Sequence, residues 1–206
     1  MRVVIYTYQS KTLILKSLPK LLKIARKDID KDMNKYIFVT NGMARSGKDT
    51  FAALMNEFVP TKKYSSIDYI KEIAKLCDWD GRKDEKSRKF LSDLKVLTSQ
   101  YNDLPFKKIQ EEIEKFNNDD VHKILLIDIR EPREIEKLCK MNKSIRTILI
   151  KRNVVKNITS NMADAGVFNY DYDFVIENNG SISDLKKKVA DFLSENIYRE
   201  SREDKI

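Results

Sequence analysis

Cysteine and histidine are nearly absent from this chain of 206 residues: Cys77, Cys139 and His122 are all there are. The two cysteines lack metal-ligand spacing and there is a single histidine, which argues against a zinc site and against a Cys–His catalytic pair. So few cysteines fit a reducing, cytoplasmic setting. Five glycines and four prolines leave no low-complexity run, and no internal repeat is visible. No apolar run is long enough for a membrane span. Apolar residues at 41% and charged residues at 35% are ordinary for a soluble enzyme, and the length suffices for one α/β domain with a full core.

The formal net charge of +8 invites a nucleic-acid reading, but its distribution argues otherwise. Residues 1–32 hold eight Lys and Arg against three Asp, and the rest of the chain is close to neutral for its length. The basicity is therefore a property of the N-terminal stretch and not of a groove, so no nucleic acid is expected for the core domain. Two readings of residues 1–32 stand. Met33 is a natural start directly before the first core strand, which would make the stretch an over-extended reading frame. Alternatively it is an appendage, with a strand at Val3–Tyr8 and a basic helix near Leu13–Lys27, that lies on a membrane surface, binds RNA or caps the fold. Lysines at 11, 16, 20 and 23 interrupt any secretory signal core.

The informative stretch is YIFVTNGMARSGKDTFAAL, residues 36–54. Tyr36–Thr40 reads as a buried strand and Phe51–Met55 as the body of a helix. Between them Gly42, four residues, Gly47 and Lys48 form a G-x-x-x-x-G-K phosphate-binding loop. The loop comprises Gly42, Met43, Ala44, Arg45, Ser46, Gly47, Lys48, Asp49 and Thr50. Its glycines permit backbone that a Cβ resists and let amide N–H groups crowd a phosphate. The following helix turns its positive end to the same anion, and Lys48 reaches the β- and γ-phosphates. Where the motif places a Ser or Thr hydroxyl for Mg²⁺, this chain has Asp49, then Thr50; a carboxylate is likewise a hard oxygen ligand.

GMARSGKDT resembles the loop of a kinase group in the nucleoside-monophosphate-kinase-like superfamily. That group includes phage-type deoxynucleoside monophosphate kinases and animal-type phosphomevalonate kinases. Later segments continue the resemblance in order over residues 33–198. Tyr64-Ser65-Ser66-Ile67 and Ile70-Lys71-Glu72 look like the group's second strand and following helix. WDGRKDEKSRKFLSDL looks like the phage and bacterial members. On this resemblance Ser65, Lys71 and Arg88 are candidates for holding the phosphate of the acceptor. The apolar run from Val121 ends in Asp128, a Walker-B-like pattern that carries a carboxylate to the C-terminal edge of a parallel sheet. There Asp128 could order Mg²⁺ waters or take a proton, or merely cap the helix at Glu131–Lys140. Asp128-Ile129-Arg130 resembles the group's Asp-x-Arg segment and makes Arg130 an acceptor-phosphate candidate.

Ser144–Lys151 reads as another strand. A lid after it, Asn153–Asn169, is poor in arginine and leaves Arg45, Arg152 and Lys156 to neutralise developing charge. Asp171–Gly180 resembles the final strand and turn of phosphomevalonate and dephospho-coenzyme A kinases, which would place Asn178, Asn179 and Gly180 beside the adenine. A helix follows from Ser183 to Tyr198, then a charged tail, 199–206.

The implied fold is a three-layer α/β/α P-loop NTPase fold with a mainly parallel five-stranded sheet and a small acceptor and lid region. The implied activity is ATP- and Mg²⁺-dependent phosphoryl transfer to a small phosphorylated acceptor, by a monomer or homodimer. Lys48, Asp128, Arg130, Arg45 and Arg152 are the candidate catalytic residues, and Asp49, Thr50 and Asp128 the metal ligands. The acceptor is expected to be a nucleoside or deoxynucleoside monophosphate, with phosphomevalonate second. A nucleotide-sensing or NTPase module without acceptor is the rival from another class. If translation starts at Met33, mass spectrometry of the native protein will find no peptide from residues 1–32; recovering one overturns that reading.

Overall fold

A computed structural model of the chain describes residues 34–153 and 166–198. The chain divides into two units, 1–34 and 35–206, and the strands and helices named below all belong to the second. The expected strand and helix of the N-terminal stretch, most of the expected lid including Lys156, and the charged tail lie outside the described residues.

The strands are β1 (Tyr36–Asn41), β2 (Thr61–Ser65), β3 (Ile124–Asp128), β4 (Arg146–Lys151) and β5 (Phe174–Glu177). The helices are α1 (Lys48–Phe58), α2 (Asp68–Leu76), α3 (Glu85–Asn102), α4 (Leu104–Asn117), α5 (Pro132–Met141) and α6 (Ile182–Leu193). A single π-helical turn, Ser194–Tyr198, continues α6. The sheet order is β2-β3-β1-β4-β5, and every pairing is parallel. This is the three-layer α/β/α P-loop fold.

Period-two alternation along the strands builds the layers. Ile37, Val39, Leu125 and Ile127 turn to one face and pack with Phe106, Ile109, Ile113 and Phe116 of α4 and with Ile135 and Leu138 of α5. Phe38 turns the other way, where it meets Phe174 and Phe192 edge-on, and Phe192 meets Phe51 of α1. The central strands are apolar on both faces because both are covered, as a parallel sheet requires.

Helix ends follow their chemistry. The Asp84 side chain accepts from Ser87 N–H at 2.7 Å and starts α3. Ser181 and Asp184 form a reciprocal capping box at α6. Pro132 opens α5 with Glu131 before it, so Asp128 is not that helix's cap.

Helix α3 departs from the apolar pattern of its sequence. Phe90, Leu91, Leu94 and Leu97 are its expected buried face, but Leu97 is 64% exposed. The buried residue of α3 is Lys95, at 8%. Charge partners on α5 draw that side inward, and an apolar count alone cannot see them.

Phe192 joins α1, α6 and two strands, with ring centroids 5.1–6.5 Å from Phe174, Phe38 and Phe51. Phe192→Ala is therefore expected to lower unfolding free energy by about 3–5 kcal/mol, read from urea denaturation. A loss no larger than that of an exposed substitution would show that this aromatic contact does not hold the layer.

Candidate phosphate-binding site

All five strands deliver their C-terminal ends to one edge of the sheet. That edge gathers the loop after β1, Ser65 after β2, Asp128 to Arg130 after β3, Arg152 after β4 and Asn178 to Gly180 after β5. Such an edge is where ligands bind in open α/β sheets.

The loop is shaped for bare backbone. Gly47 has φ +100°, and a Cβ there would stand 2.3 Å from Asn178 Nδ2. A Cβ on Gly42 would stand 2.4 Å from the Ile150 carbonyl oxygen and 2.6 Å from Ser46 Oγ. Arg45 also has positive φ, +64°, and is exposed. Asn178 is buried and donates from Nδ2 to the Ser46 carbonyl at 2.8 Å. It thus braces the loop. Asn179 Oδ1 accepts from Asn153 N–H at 2.8 Å, and Gly180 sits against Asp184 of the capping box.

Lys48, the first residue of α1, folds over the loop. Its ammonium donates to the Gly42 carbonyl at 2.6 Å and to the Met43 carbonyl at 3.1 Å. A positive charge is thereby held over the phosphate loop. Among the described residues Ser46 Oγ is buried without a hydrogen-bond partner.

Asp128 lies level with Thr40 and Ser65 in the parallel register, and its side chain shares the α1 face with Lys63. It accepts from Thr40 Oγ1 through Oδ1, and its Oδ2 lies 2.9 Å from Lys63 Nζ. Lys63 also pairs with Asp49, whose side chain is 93% exposed. The two expected metal carboxylates are therefore brought together, but through a lysine. Burial works against the Lys63 ammonium, and Asp128 and Asp49 outweigh it, so its pKa lies above the ordinary lysine value. The hydrogen bond from Lys63 in turn holds Asp49 below the usual carboxylate range. Sequence reasoning missed Lys63. The available signal was its place two residues before Ser65, on the same face of β2.

The donor set of Asp49, Thr50 and Asp128 is all oxygen, which suits Mg²⁺ and disfavours softer metals. Together with a loop that has no room for a Cβ at Gly42 or Gly47, it fits a magnesium–phosphate group. Among the described residues no cluster of three or more His, Cys, Asp or Glu is arranged to hold a metal by protein ligands alone.

At the start of α2, Asp68 accepts from Ser65 N–H at 2.9 Å and from Lys71 Nζ at 2.8 Å, so Ser65 and Lys71 share one carboxylate. The Arg130 carbonyl is held by Asn41 at 3.1 Å. Arg88 is exposed in the first turns of α3 and does not join the carboxylate that Ser65 and Lys71 share. Arg152 is exposed just past β4. His122 lies just before β3, at the end away from Asp128, 2.6 Å from Asp119 Oδ2.

A second cluster escaped the sequence altogether. Lys95 reaches Glu131 at 2.7 Å and Glu134 at 2.9 Å, and lies 3.4 Å from Ser66 Oγ. It ties α3 to the start of α5, directly after Arg130. Burial pushes Glu134 up to about 7, while Lys95 holds Glu131 below its ordinary value.

No protein-family model matches the chain, and no curated protein does. Among solved structures it is similar to dephospho-CoA kinase from Campylobacter jejuni, with 16% identity, 78% of this chain and 96% of that chain covered, and a TM-score of 0.47. Thymidylate kinase from Candida albicans gives 11%, 79%, 92% and 0.46. Shikimate kinase from Aquifex aeolicus gives 11%, 78%, 97% and 0.45. At such identities and scores the functional reading rests on the chain's own residues. No helix among the described residues is long and apolar enough to cross a membrane.

The raised Glu134 sets a sign for pH dependence. The folded chain holds this proton more tightly than the unfolded chain does, so the associated stability is complete below 4.5 and is lost as pH rises through about 7. Glu134→Gln is expected to flatten the fall in stability across that window, measured as urea midpoints against pH. An unchanged slope would remove Glu134 as its source.

Proposed function

We propose that this protein is an ATP-dependent phosphotransferase acting on a small acceptor that already carries a phosphate, with a nucleoside or deoxynucleoside monophosphate as the acceptor class. The observation that carries the reading is the loop itself: Lys48 folded over the Gly42 and Met43 carbonyls, with Asp128 held by Thr40 and Lys63 at the same sheet edge. Phosphoryl transfer asks little covalent chemistry of a protein; it asks for positioning and for fixed charge where the γ-phosphoryl group passes.

In this reading the loop amides and the α1 N-terminus hold the β- and γ-phosphates, and Lys48 leaves its loop carbonyls to follow the transferred group. Bound Mg²⁺ supplies neutralisation of phosphate charge, with Asp49, Thr50 and Asp128 as its protein-side oxygens or partners of its waters. Asp128 also takes the acceptor's proton in this reading. Lys63 holds Asp128 oriented before substrates arrive. Arg130 and Lys71 with Ser65 hold the acceptor's phosphate, and Arg45 and Arg152 serve as further cations at the crevice. Arg88, exposed on α3, is a further candidate for that phosphate. The likeness of residues 79–94 to phage and bacterial members favours a nucleotide acceptor, with phosphomevalonate the alternative.

An ADP-release assay with Mg·ATP and a panel of nucleoside monophosphates, phosphomevalonate and dephospho-coenzyme A tests the reading. Stimulation by one acceptor class is expected. A flat panel with nucleotide still bound would instead favour a sensing or NTPase module. Lys48→Ala should abolish transfer in a folded chain, and Asp128→Asn should lower turnover far more than ATP affinity. Full activity in the first variant would refute the site.

A further inference from the structure

We infer that Asn41 and Tyr172 are positioning residues that lock the segment Gly166–Tyr172 to the phosphate loop, so that nucleotide at the loop and the order of that segment depend on each other. The inference rests on the proposed phosphotransfer reading for its use, and on the hydrogen bonds of Asn41 and Tyr172 for its existence.

Asn41 is the last residue of β1 and is fully buried. Its Oδ1 accepts from Gly42 N–H, the first amide of the loop, at 2.7 Å. Its Nδ2 donates to the Arg130 carbonyl at 3.1 Å and to Tyr172 Oη at 2.7 Å. The Tyr172 hydroxyl then donates to the Val167 carbonyl at 2.7 Å. Both N–H donors of the amide are used, and so is the one donor of the phenol. The orientation is unique. Flipping the Asn41 amide would set donor against the Gly42 N–H and acceptor against the Arg130 carbonyl. Burial pushes the Tyr172 phenol up to about 12, so it keeps the proton it donates.

A second observation points the same way. Val167 is fully buried in a small apolar cluster with Leu149 of β4 and with Met43 of the loop, and the Tyr172 ring packs against that cluster. The segment therefore reaches the loop by two routes, through Asn41 to the Gly42 amide and by packing at Met43. Arg130, the expected acceptor-phosphate residue, hangs from the same asparagine by its carbonyl. A buried, fully satisfied network of this kind has few alternative arrangements, so a change at one end is felt at the others. Phosphate on the loop would steady Gly166–Tyr172, and that segment in place would steady the loop and Arg130.

Tyr172→Phe removes one oxygen and leaves the ring in its packing. In the nucleotide-free chain, amide hydrogen exchange is expected to speed up at Gly42 as well as across residues 166–172, by about 5-fold or more. With a non-hydrolysable ATP analogue, the wild type should protect residues 166–172, and the variant should lose that protection. By linkage, its analogue affinity should fall as well. Asn41→Ser, which keeps a small polar group, should act alike, and adding Tyr172→Phe to it should cost little more. Exchange that quickens only within 166–172 and leaves Gly42 unchanged would overturn the inference, as would equal analogue protection in wild type and Tyr172→Phe. A wild type that binds no nucleotide would refute the phosphotransfer reading. The nucleotide-free exchange at Gly42 would still decide whether the tie exists.

Discussion

The parallel register of β1, β3 and β2 is the constraint on which the rest of the site depends. It sets Thr40, Asp128 and Ser65 at one level, with the Asp128 side chain on the face covered by α1. Because α1 begins directly after the phosphate loop, its N-terminus, Lys48 and Asp49 arrive over that same level. A slip of one residue in β3 would turn Asp128 into the opposite layer, among Ile127's apolar neighbours, and leave Thr40 and Lys63 without their carboxylate. The apolar residues on both sides of β3 hold the register, so core packing and site geometry are one requirement.

Charge at this edge is balanced in advance. Lys63 lies between Asp49 and Asp128, and Lys95 between Glu131 and Glu134. Each lysine draws carboxylates into an arrangement that like charges would not adopt alone. The first group sits where phosphate and magnesium charge is expected, the second just beyond Arg130. A buried lysine such as Lys95 is costly unless it is paired, so it specifies where its partner element must lie. Helix α3 illustrates this: its deepest contact is an ion pair, while Leu97 of its apolar set stays in solvent.

The loop is braced from behind by side chains far away in sequence. Asn178 supports Ser46, and Asn41 supports Gly42, Arg130 and Tyr172. Both asparagines stand at the ends of parallel strands, where backbone groups leave the ladder and need partners. The amide, with donors and an acceptor on one rigid plane, suits that task better than a hydroxyl or a carboxylate.

Residue pattern alone specifies the strand–loop–helix unit, the parallel α/β architecture and the ends of most elements. Local chemistry sets these: Gly where a Cβ is barred, apolar runs for strands covered on both faces, Asp84 and Ser181 where helices need caps. It also brings Lys48, Asp128 and Arg130 to the right edge, because strand ends are legible from pattern. Which charges meet is settled by packing. That Asp49 and Asp128 share Lys63, that Lys95 is buried and that Asn178 braces the loop depend on contacts between elements separated along the chain. No periodicity records such contacts. A lysine looks the same in sequence whether it is solvated or buried between two carboxylates, and only the packing of its own element against the next one distinguishes them.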